Sequence, residues 1–459
     1  MTPGKAHDDP ENRKAEKTGG PTIIIEGGTL VDGTGGPPLT GARIVVRDGR
    51  VVSVEGPAPE GEERPTGRQD TGSPGTRPPA TEAAGDDVVR IDARGRTVLP
   101  GLIDCHVHIM GDGNPDILRA IRKTTPRYAL EAAVHARRTL EAGFTTIRDA
   151  GATALIDLAL RDAIRDDLVP GPRMLVSGVP LTTTGGHGDP FWPPEITFRD
   201  RSVVDSPDEA RKAAREQLRC GADVIKLCAT GGVMTELSVP TARGMTVAEM
   251  RAAIEEAHNL GRKTLAHAHG AEGVKNAILA GIDSVEHGSY LTDEIIELML
   301  ERGVFLVPTL VAVHRIVINA DKAGMPEWAV SKAREHTESH RASFRRALAA
   351  GVKIAMGTDA ATPFNYHGEN ALELELMVNE GMSPGEAILS ATSRAAELLG
   401  LSDLVGTVEP GKLADIVVVA GDPLADITCL QDKSRIEVVL KDGRIAVDRR
   451  SAGGFSPGG

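Results

Sequence analysis

Strand-like and helix-like patterns alternate between residues 98 and 405, glycines recur just ahead of the strands, and β-rich segments stand at both ends of the chain. Together these observations predict an α/β protein, a (β/α)8 TIM-like barrel with a small β-sandwich domain built from both chain ends. A length of 459 residues exceeds one ordinary core and fits one large and one smaller domain.

Residues 1–20 are rich in Lys, Asp, Glu and Gly and hold no apolar stretch, so they read as a disordered tail and not a secretory signal. Residues 21–97 form the first part of the sandwich. Thr22 to Ile25 and Ala42 to Val54 are rich in β-branched residues, Asp48-Gly49 is a hairpin signal, and Val88 to Val98 reads as a further hairpin turning near Gly95. Residues 57–86 are dense in Pro, Gly, Thr and Glu and read as a mobile insertion. The barrel takes residues 98–405, with strands centred on Ile103, Thr146, Leu175, Ile225, Leu265, Val285, Leu306 and Ala355. Arg127 to Ala142 and Asp208 to Cys220 are clear Ala-rich amphipathic helices. Gly143, Gly221, Gly261, Gly281, Gly303 and Gly351 stand where helix C-termini favour glycine. The β pattern returns over residues 406–450, in Ala414 to Val419 and Ile436 to Leu440, and residues 451–459 form a second tail. The turn in Leu440-Lys441-Asp442-Gly443-Arg444-Ile445 nearly repeats Val46-Arg47-Asp48-Gly49-Arg50-Val51.

The composition narrows the function. A net charge of −13 argues against a nucleic-acid footprint, and no stretch approaches the roughly 20 apolar residues of a membrane span. Cys105, Cys220, Cys228 and Cys429 are widely spaced without a CxxC pair, which fits reduced thiols and a cytoplasmic location. The expected partner is a small molecule, with no nucleic acid, no membrane, and a homo-oligomeric assembly.

His106 and His108 stand two apart on a strand pattern, so both imidazoles share one face. One such pair says little, since a buried histidine on a strand is more often structural. His267, His287 and Asp359 change that, because each also ends a short apolar run, and apolar strands that repeatedly end in ligand-type residues are costly to explain as packing. Lys226 follows Ala222-Asp223-Val224-Ile225 in the same way, although alone it would read as a snorkelling surface group. The barrel collects a site from the C-terminal ends of several strands, so these six residues are expected to meet.

The segment Val98-Leu99-Pro100-Gly101-Leu102-Ile103-Asp104-Cys105-His106-Val107-His108 resembles the opening strand of the amidohydrolase superfamily, and the likeness runs from about Thr22 to Arg449. Gly185-Gly186-His187-Gly188-Asp189, Lys226 followed by Thr230-Gly231-Gly232, and His367-Gly368-Glu369-Asn370 resemble its prolidase-like and carboxypeptidase-like branch, which includes ochratoxin-hydrolysing enzymes. Imidazolonepropionases are near neighbours.

The resemblance implies two divalent ions, most simply Zn²⁺, bound by His106, His108, Lys226, His267, His287 and Asp359. It implies that Lys226 is carboxylated by CO₂, since a plain ammonium among cations would be repelled while an anionic carbamate can bridge them. Lys226 and Asp359 are then the catalytic residues, with a metal-bridging hydroxide as nucleophile and Asp359 as proton shuttle. The expected reaction is hydrolysis of an amide or peptide bond in a dipeptide, an N-acyl amino acid or an ochratoxin-like amide. The alternative is a cyclic amide hydrolase of the imidazolonepropionase type, and a non-catalytic scaffold would have lost ligands that are all present here.

Substrate contacts are expected from His187, Trp192, Tyr290, His314, Tyr366 and His367, on loops after the strands. Aromatics are only 3% of the chain, yet Phe191, Trp192, Phe198, Tyr290, Phe364 and Tyr366 all fall in such loops, as a pocket for an apolar side chain or as local packing. His269 is equally a supporting or a substrate-contacting residue, and Asp149 reads as an ion-pairing scaffold residue. His135, His258, His336 and His340 lie on helix patterns and read as solvated. Arg173, Arg199, Arg201, Arg243 and Arg315 are all placed to meet a substrate carboxylate.

Overall fold

The computed structural model describes residues 21–57, 88–116, 119, 122–189, 202–322 and 324–450. The expected tails, most of the expected insertion, and Phe191, Trp192, Phe198, Arg199 and Arg201 lie outside the described residues.

Strands β1 (Thr22–Leu30), β2 (Leu39–Arg47), β3 (Arg50–Glu55), β4 (Val88–Asp92) and β5 (Thr97–Pro100) open the chain. The β2–β3 hairpin turns at Asp48 and Gly49, with φ of 50° and 78°, the left-handed pair that a two-residue hairpin turn needs. Val88 to Val98 departs from the expected hairpin. β4 and β5 both run parallel to β1, one after the other, and Gly95 (φ 71°) makes only a jog between them.

The middle of the chain alternates as expected. β6 (Leu102–Val107), β7 (Phe144–Asp149) and β8 (Arg173–Val176) form one parallel sheet. β9 (Leu181–Thr182), β10 (Ser202–Val203), β11 (Val224–Cys228), β12 (Lys263–Ala268), β13 (Ser284–His287) and β14 (Phe305–Val307) form a second, in the order β10-β9-β11-β12-β13-β14. Seven of the expected barrel strands coincide with β6, β7, β8, β11, β12, β13 and β14. The eighth, around Ala355, is reduced to the bridge between Ile354 and Leu306. Its backbone is shared out: Lys353 accepts from Leu306, Met356 accepts from Cys105 and donates to Ser390, and Asp359 donates to His106. Asp359 then turns at φ 56°, which ends any extended run. The Asp223 amide donates to Val176, linking β8 to the start of β11.

Helices α1 (Thr125–Glu141), α2 (Ile156–Arg165), α3 (Pro207–Cys220), α4 (Val247–Asn259), α5 (Ala271–Ala280), α6 (Asp293–Arg302), α7 (Leu310–Ile318), α8 (Glu327–Ala350), α9 (Leu372–Asn379), α10 (Pro384–Ser390) and α11 (Ser393–Leu399) accompany these strands. Gly221, Gly281, Gly303 and Gly351 are left-handed C-caps, so glycine there ends the helix and lets the next strand start without Cβ strain. Alanines at buried helix positions, such as Ala210, Ala253, Ala277 and Ala347, let the helices lie close against Ile225, Ala266 and Val285 of the strands. Among the described residues no helix is long and apolar enough to cross a membrane.

β15 (Ile416–Val419), β16 (Ile436–Lys441) and β17 (Arg444–Asp448) then join the opening strands in one eight-stranded sheet, β17-β16-β15-β5-β1-β2-β3, with β4 also on β1. The pairing defines a single sheet across both chain ends, where two layers of a sandwich were expected. Alternation gives it two apolar faces: Ile23, Ile25, Ile44, Val98, Ile416, Val418 and Val438 share one core, while Leu99, Val417, Val419 and Val439 belong to the larger core of strands and helices. Its two near-identical turns meet glycine to glycine, so closely that a Cβ on Gly443 would lie 2.4 Å from Gly49 Cα. Arg173 of β8 pins the sheet to the rest of the molecule through Asp415, at 2.7 Å, and Asp442.

Candidate metal centre

Strands β6, β11, β12 and β13, with the turn at Asp359, bring the six expected ligands into one connected set. The Asp359 carboxylate lies 3.3 Å from His108 Nε2 and 3.5 Å from His106 Nε2. Lys226 Nζ is 3.5 Å from His106 Nε2, and the ring centroids of His106 and His287 are 5.2 Å apart. His267 completes the set, its ring 4.6 Å from that of His287. Ligand-type atoms of His106, His287 and Asp359 fall within 4.8 Å of one another, as do those of His267, His269 and His287. All of these are buried except His108, whose imidazole is half-buried.

Each expected histidine ligand has one ring nitrogen already held, which leaves the other for a ligand role. His106 Nδ1 donates to Glu286 at 2.7 Å, His108 Nδ1 donates to the Gly151 carbonyl at 2.8 Å, and His287 Nδ1 bonds the Thr309 hydroxyl at 2.6 Å. His267 is held the other way round, by Nε2 on the Gly231 carbonyl at 2.9 Å, so its Nδ1 is the nitrogen left over. His287 and Asp359 are left-handed, with φ of 72° and 56°, a conformation that costs about 1–3 kcal/mol where a side chain is present. The bend at His287 breaks the strand alternation, so the adjacent Glu286 and His287 both reach the cluster.

The electrostatics suit a metal. Burial, with Lys226 nearby, pushes His106 down to about 4, and burial holds His267 and His287 well below the ordinary histidine range, so these imidazoles are neutral. Burial alone would raise Asp359, but His108, His106 and Lys226 outweigh it and keep the carboxyl below its usual range. Burial also lowers Lys226. Burial opposes charging of His108, but the Asp359 carboxylate outweighs it and raises that imidazole. Four imidazoles, an ionised carboxylate and a buried amine are a donor set that fits divalent cations of the zinc type.

The expected substrate residues are less uniform in their placement. His187 is half-buried and stacks on His267, with its Nδ1 2.8 Å from the Thr235 hydroxyl. Tyr290 packs edge-on to His336 at 5.1 Å, and Tyr366 is exposed beside the loop of Gly113. His367 is buried beneath His108, donating from Nε2 to the carbonyls of His108 and Gly111. His314 lies on α7 and not on a loop as expected, in a small pocket with His340 and Arg341 of α8 and with Glu380. Of the arginines left open, Arg173 is committed to Asp415 and Asp442, Arg243 pairs with Glu272 and Arg315 with Glu369.

Several supporting residues were misread or missed. Arg148, fully buried, donates to Glu286 at 2.9 Å and to Ser284 and Cys105, so the ion pair belongs to Arg148. Asp149 instead accepts from the Ile109 and Gly151 amides. His135, His336 and His340 are buried rather than solvated, while His258 is exposed as expected. His269 Nδ1 bonds Ser289 at 2.9 Å and His336 at 3.0 Å. Helical spacing alone gave no sign that α8 turns its histidines inward.

Residues 97–446 match the sequence pattern of the amidohydrolase family. Ochratoxinase of Aspergillus niger is 34% identical over 368 residues, covering 76% of this chain and 75% of that protein. An imidazolonepropionase of Symbiobacterium thermophilum is 28% identical, covering 93% of this chain and 97% of its own. Among solved structures, a Xaa-Pro dipeptidase with methionine bound in its active site is 34% identical with a TM-score of 0.81, covering 92% of this chain and 99% of its own. A. niger ochratoxinase superposes with a TM-score of 0.80 over 94% of this chain and 96% of its own, at 30% identity. The fold is therefore TIM-barrel-like with mixed α/β content, the site is His-rich in a family that is generally metal-dependent, and the chain belongs to the amidohydrolase family.

Proposed function

We propose that the protein is a binuclear metal-dependent amidohydrolase that cleaves the amide bond of a dipeptide, an N-acyl amino acid or an ochratoxin-like amide. The observation that carries this reading is the meeting of His106, His108, Lys226, His267, His287 and Asp359 in one largely buried cluster, each imidazole tied back through one nitrogen. His106, His108 and Asp359 would hold one ion, His267 and His287 the other, and carboxylated Lys226 would join them. When bound, a pair of ions such as Zn²⁺ supplies a hydroxide at near-neutral pH and polarises the scissile carbonyl. Burial favours the uncharged Lys226 amine, which attacks CO₂ and loses a proton to leave the carbamate anion. Asp359, ionised, accepts the proton as the new carbon–oxygen bond forms and passes it to the nitrogen as the carbon–nitrogen bond breaks.

His187, stacked on His267, is proposed to hydrogen-bond the substrate, with Tyr290, Tyr366, Trp192, His314 and His367 as further candidates for the rim. Closure of the strands into an eight-membered barrel is supported by the backbone bonds from Asp223 to Val176 and from Cys105 to Met356. A sandwich-like curl of the chain-end sheet is supported by the single core that Ile23, Ile44, Ile416 and Val438 share. A cytoplasmic homo-oligomer acting on a small molecule completes the reading.

Metal analysis with a screen of dipeptides, N-acyl amino acids and ochratoxin-like amides tests it. Two ions per chain and turnover of one of these classes are expected, and metal-loaded protein inert toward all three would overturn it. The imidazolonepropionase-like reading is favoured by the 28% identity that spans 93% of the chain, and one ion with unmodified Lys226 would select it.

A further inference from the structure

The long helix α8 runs behind the centre and carries four polar side chains on one face, at spacings of four, four and three residues: Lys332, His336, His340 and Ser343. All four reach segments that line the site. Lys332 Nζ donates to the carbonyls of Thr235 at 2.7 Å, Glu236 at 2.9 Å, and Ser238, in the loop whose Thr235 holds His187. His336 Nε2 lies 3.0 Å from His269 Nδ1. His340 Nε2 donates to the carbonyls of His287 at 3.1 Å and Pro308 at 2.8 Å. Ser343 donates to the Ser289 carbonyl at 2.9 Å and accepts from the Leu291 amide at 3.0 Å.

Burying two imidazoles and a hydroxyl on a helix face that alanines could fill is unfavourable for packing alone. What they hold is the segment from His287 to Leu291, which begins at a left-handed residue whose carbonyl turns out of the β13 strand. His269 adds a second support, its ring stacked on that of His287 at 4.6 Å and 15°. We propose that α8 is a positioning helix for the His267–His287 half of the centre. His340 fixes the His287 backbone in its strained conformation, and His336 fixes the ring of His269 against His287.

The metal consequence rests on the reading of His287 as a ligand given above; the geometric consequence does not. The test compares His340→Leu and His336→Leu with His340→Gln and His336→Gln, with Ser343→Ala as a milder change on the same face. In metal-free protein, nitrogen-15 ring signals of His269 and His287 should shift in the leucine variants and return toward wild type with glutamine. In protein titrated with Zn²⁺ against a competing chelator, His340→Leu should weaken one ion by about 10–100-fold while the other is unchanged, and Ser343→Ala should weaken the same ion less. Unmoved ring signals in both leucine variants overturn the proposal, as does a loss that glutamine fails to restore. Wild-type protein that binds no divalent ion removes the metal reading, and the ring signals still decide the role of α8.

Discussion

The imidazoles of His187 and His267 lie 3.9 Å apart and within 8° of parallel. This stack joins the glycine-rich loop after β9 to the His267 end of β12, and its geometry depends on a third residue. A Cβ on Gly232 would sit 2.3 Å from His187 Nδ1 and 2.5 Å from Cε1, so that glycine is what leaves room for the ring. Gly232→Ala should therefore behave like His187→Ala, lowering kcat/KM on every amide substrate while metal content stays at the wild-type level. Equal kcat/KM in wild type and Gly232→Ala, measured on two unrelated amides, would separate His187 from the substrate.

Glu286 carries both Arg148 and His106. Burial would raise its carboxyl, yet Arg148 and His106 hold it down to about 2. Glu286→Gln leaves the Arg148 guanidinium buried without its countercharge and is expected to cost about 3–5 kcal/mol of stability. Removing both charges in Glu286→Gln with Arg148→Met should recover part of that loss, because a buried pair is harder to break than to replace. Urea unfolding of the two proteins checks the order.

Asp359→Asn preserves shape and removes the proposed proton carrier. A drop of about 10²–10⁴ in kcat is expected for each acid or base role lost. Because Asp359 also faces His106 and His108, the measurement is made on samples whose metal content is known. Normal loading with near-normal kcat would take Asp359 out of the proton path.

Lys226→Ala should lose most activity, with partial return on adding a short carboxylic acid that stands in for the carbamate. Lys226→Arg should stay inactive, because a guanidinium remains positive and does not take up CO₂. Turnover by the arginine variant at the wild-type rate would end the bridging role.

The α7 N-terminus rests on Glu373, whose two oxygens accept from the Leu310 and Val311 amides. Burial pushes this carboxyl from its ordinary 4.5 up to about 8. Between those two values the folded chain holds a proton that the unfolded chain has released, so stability falls as pH rises across that window and levels off outside it. Glu373→Gln has no such group. The Tm of wild type relative to this variant should drop between pH 5 and pH 8, and a constant difference across that range would contradict the shift.

Much of this was legible in the sequence. The period of apolar runs located seven of the expected barrel strands, and the polar residue ending each run pointed to the buried His-rich cluster. The eighth strand was not legible, because the backbone of residues 353–359 is divided among three neighbours and no local pattern records that. Glu286 was hidden by its position beside His287, since alternation assigns neighbouring residues to opposite faces until a left-handed residue intervenes. His336 and His340 read as solvated because a polar residue on an amphipathic helix ordinarily faces water; only the packing of α8 against His269 and Pro308 turns them inward.

The glycine-to-glycine contact of Gly49 with Gly443 has a kinetic meaning. Arg96 finds its partner Glu437 341 residues later, and the opening strands gain their last neighbour, at β5, only from β15. During synthesis β1, β2 and β5 therefore emerge with one edge unpaired and must wait while the whole alternating middle of the chain is made. Long-range pairing of this kind is slow and exposes strand edges to other chains. Until the chain-end sheet assembles, the nascent protein therefore presents an open strand edge, and a side chain at either turn glycine, where the two turns meet, is expected to lower yield before activity.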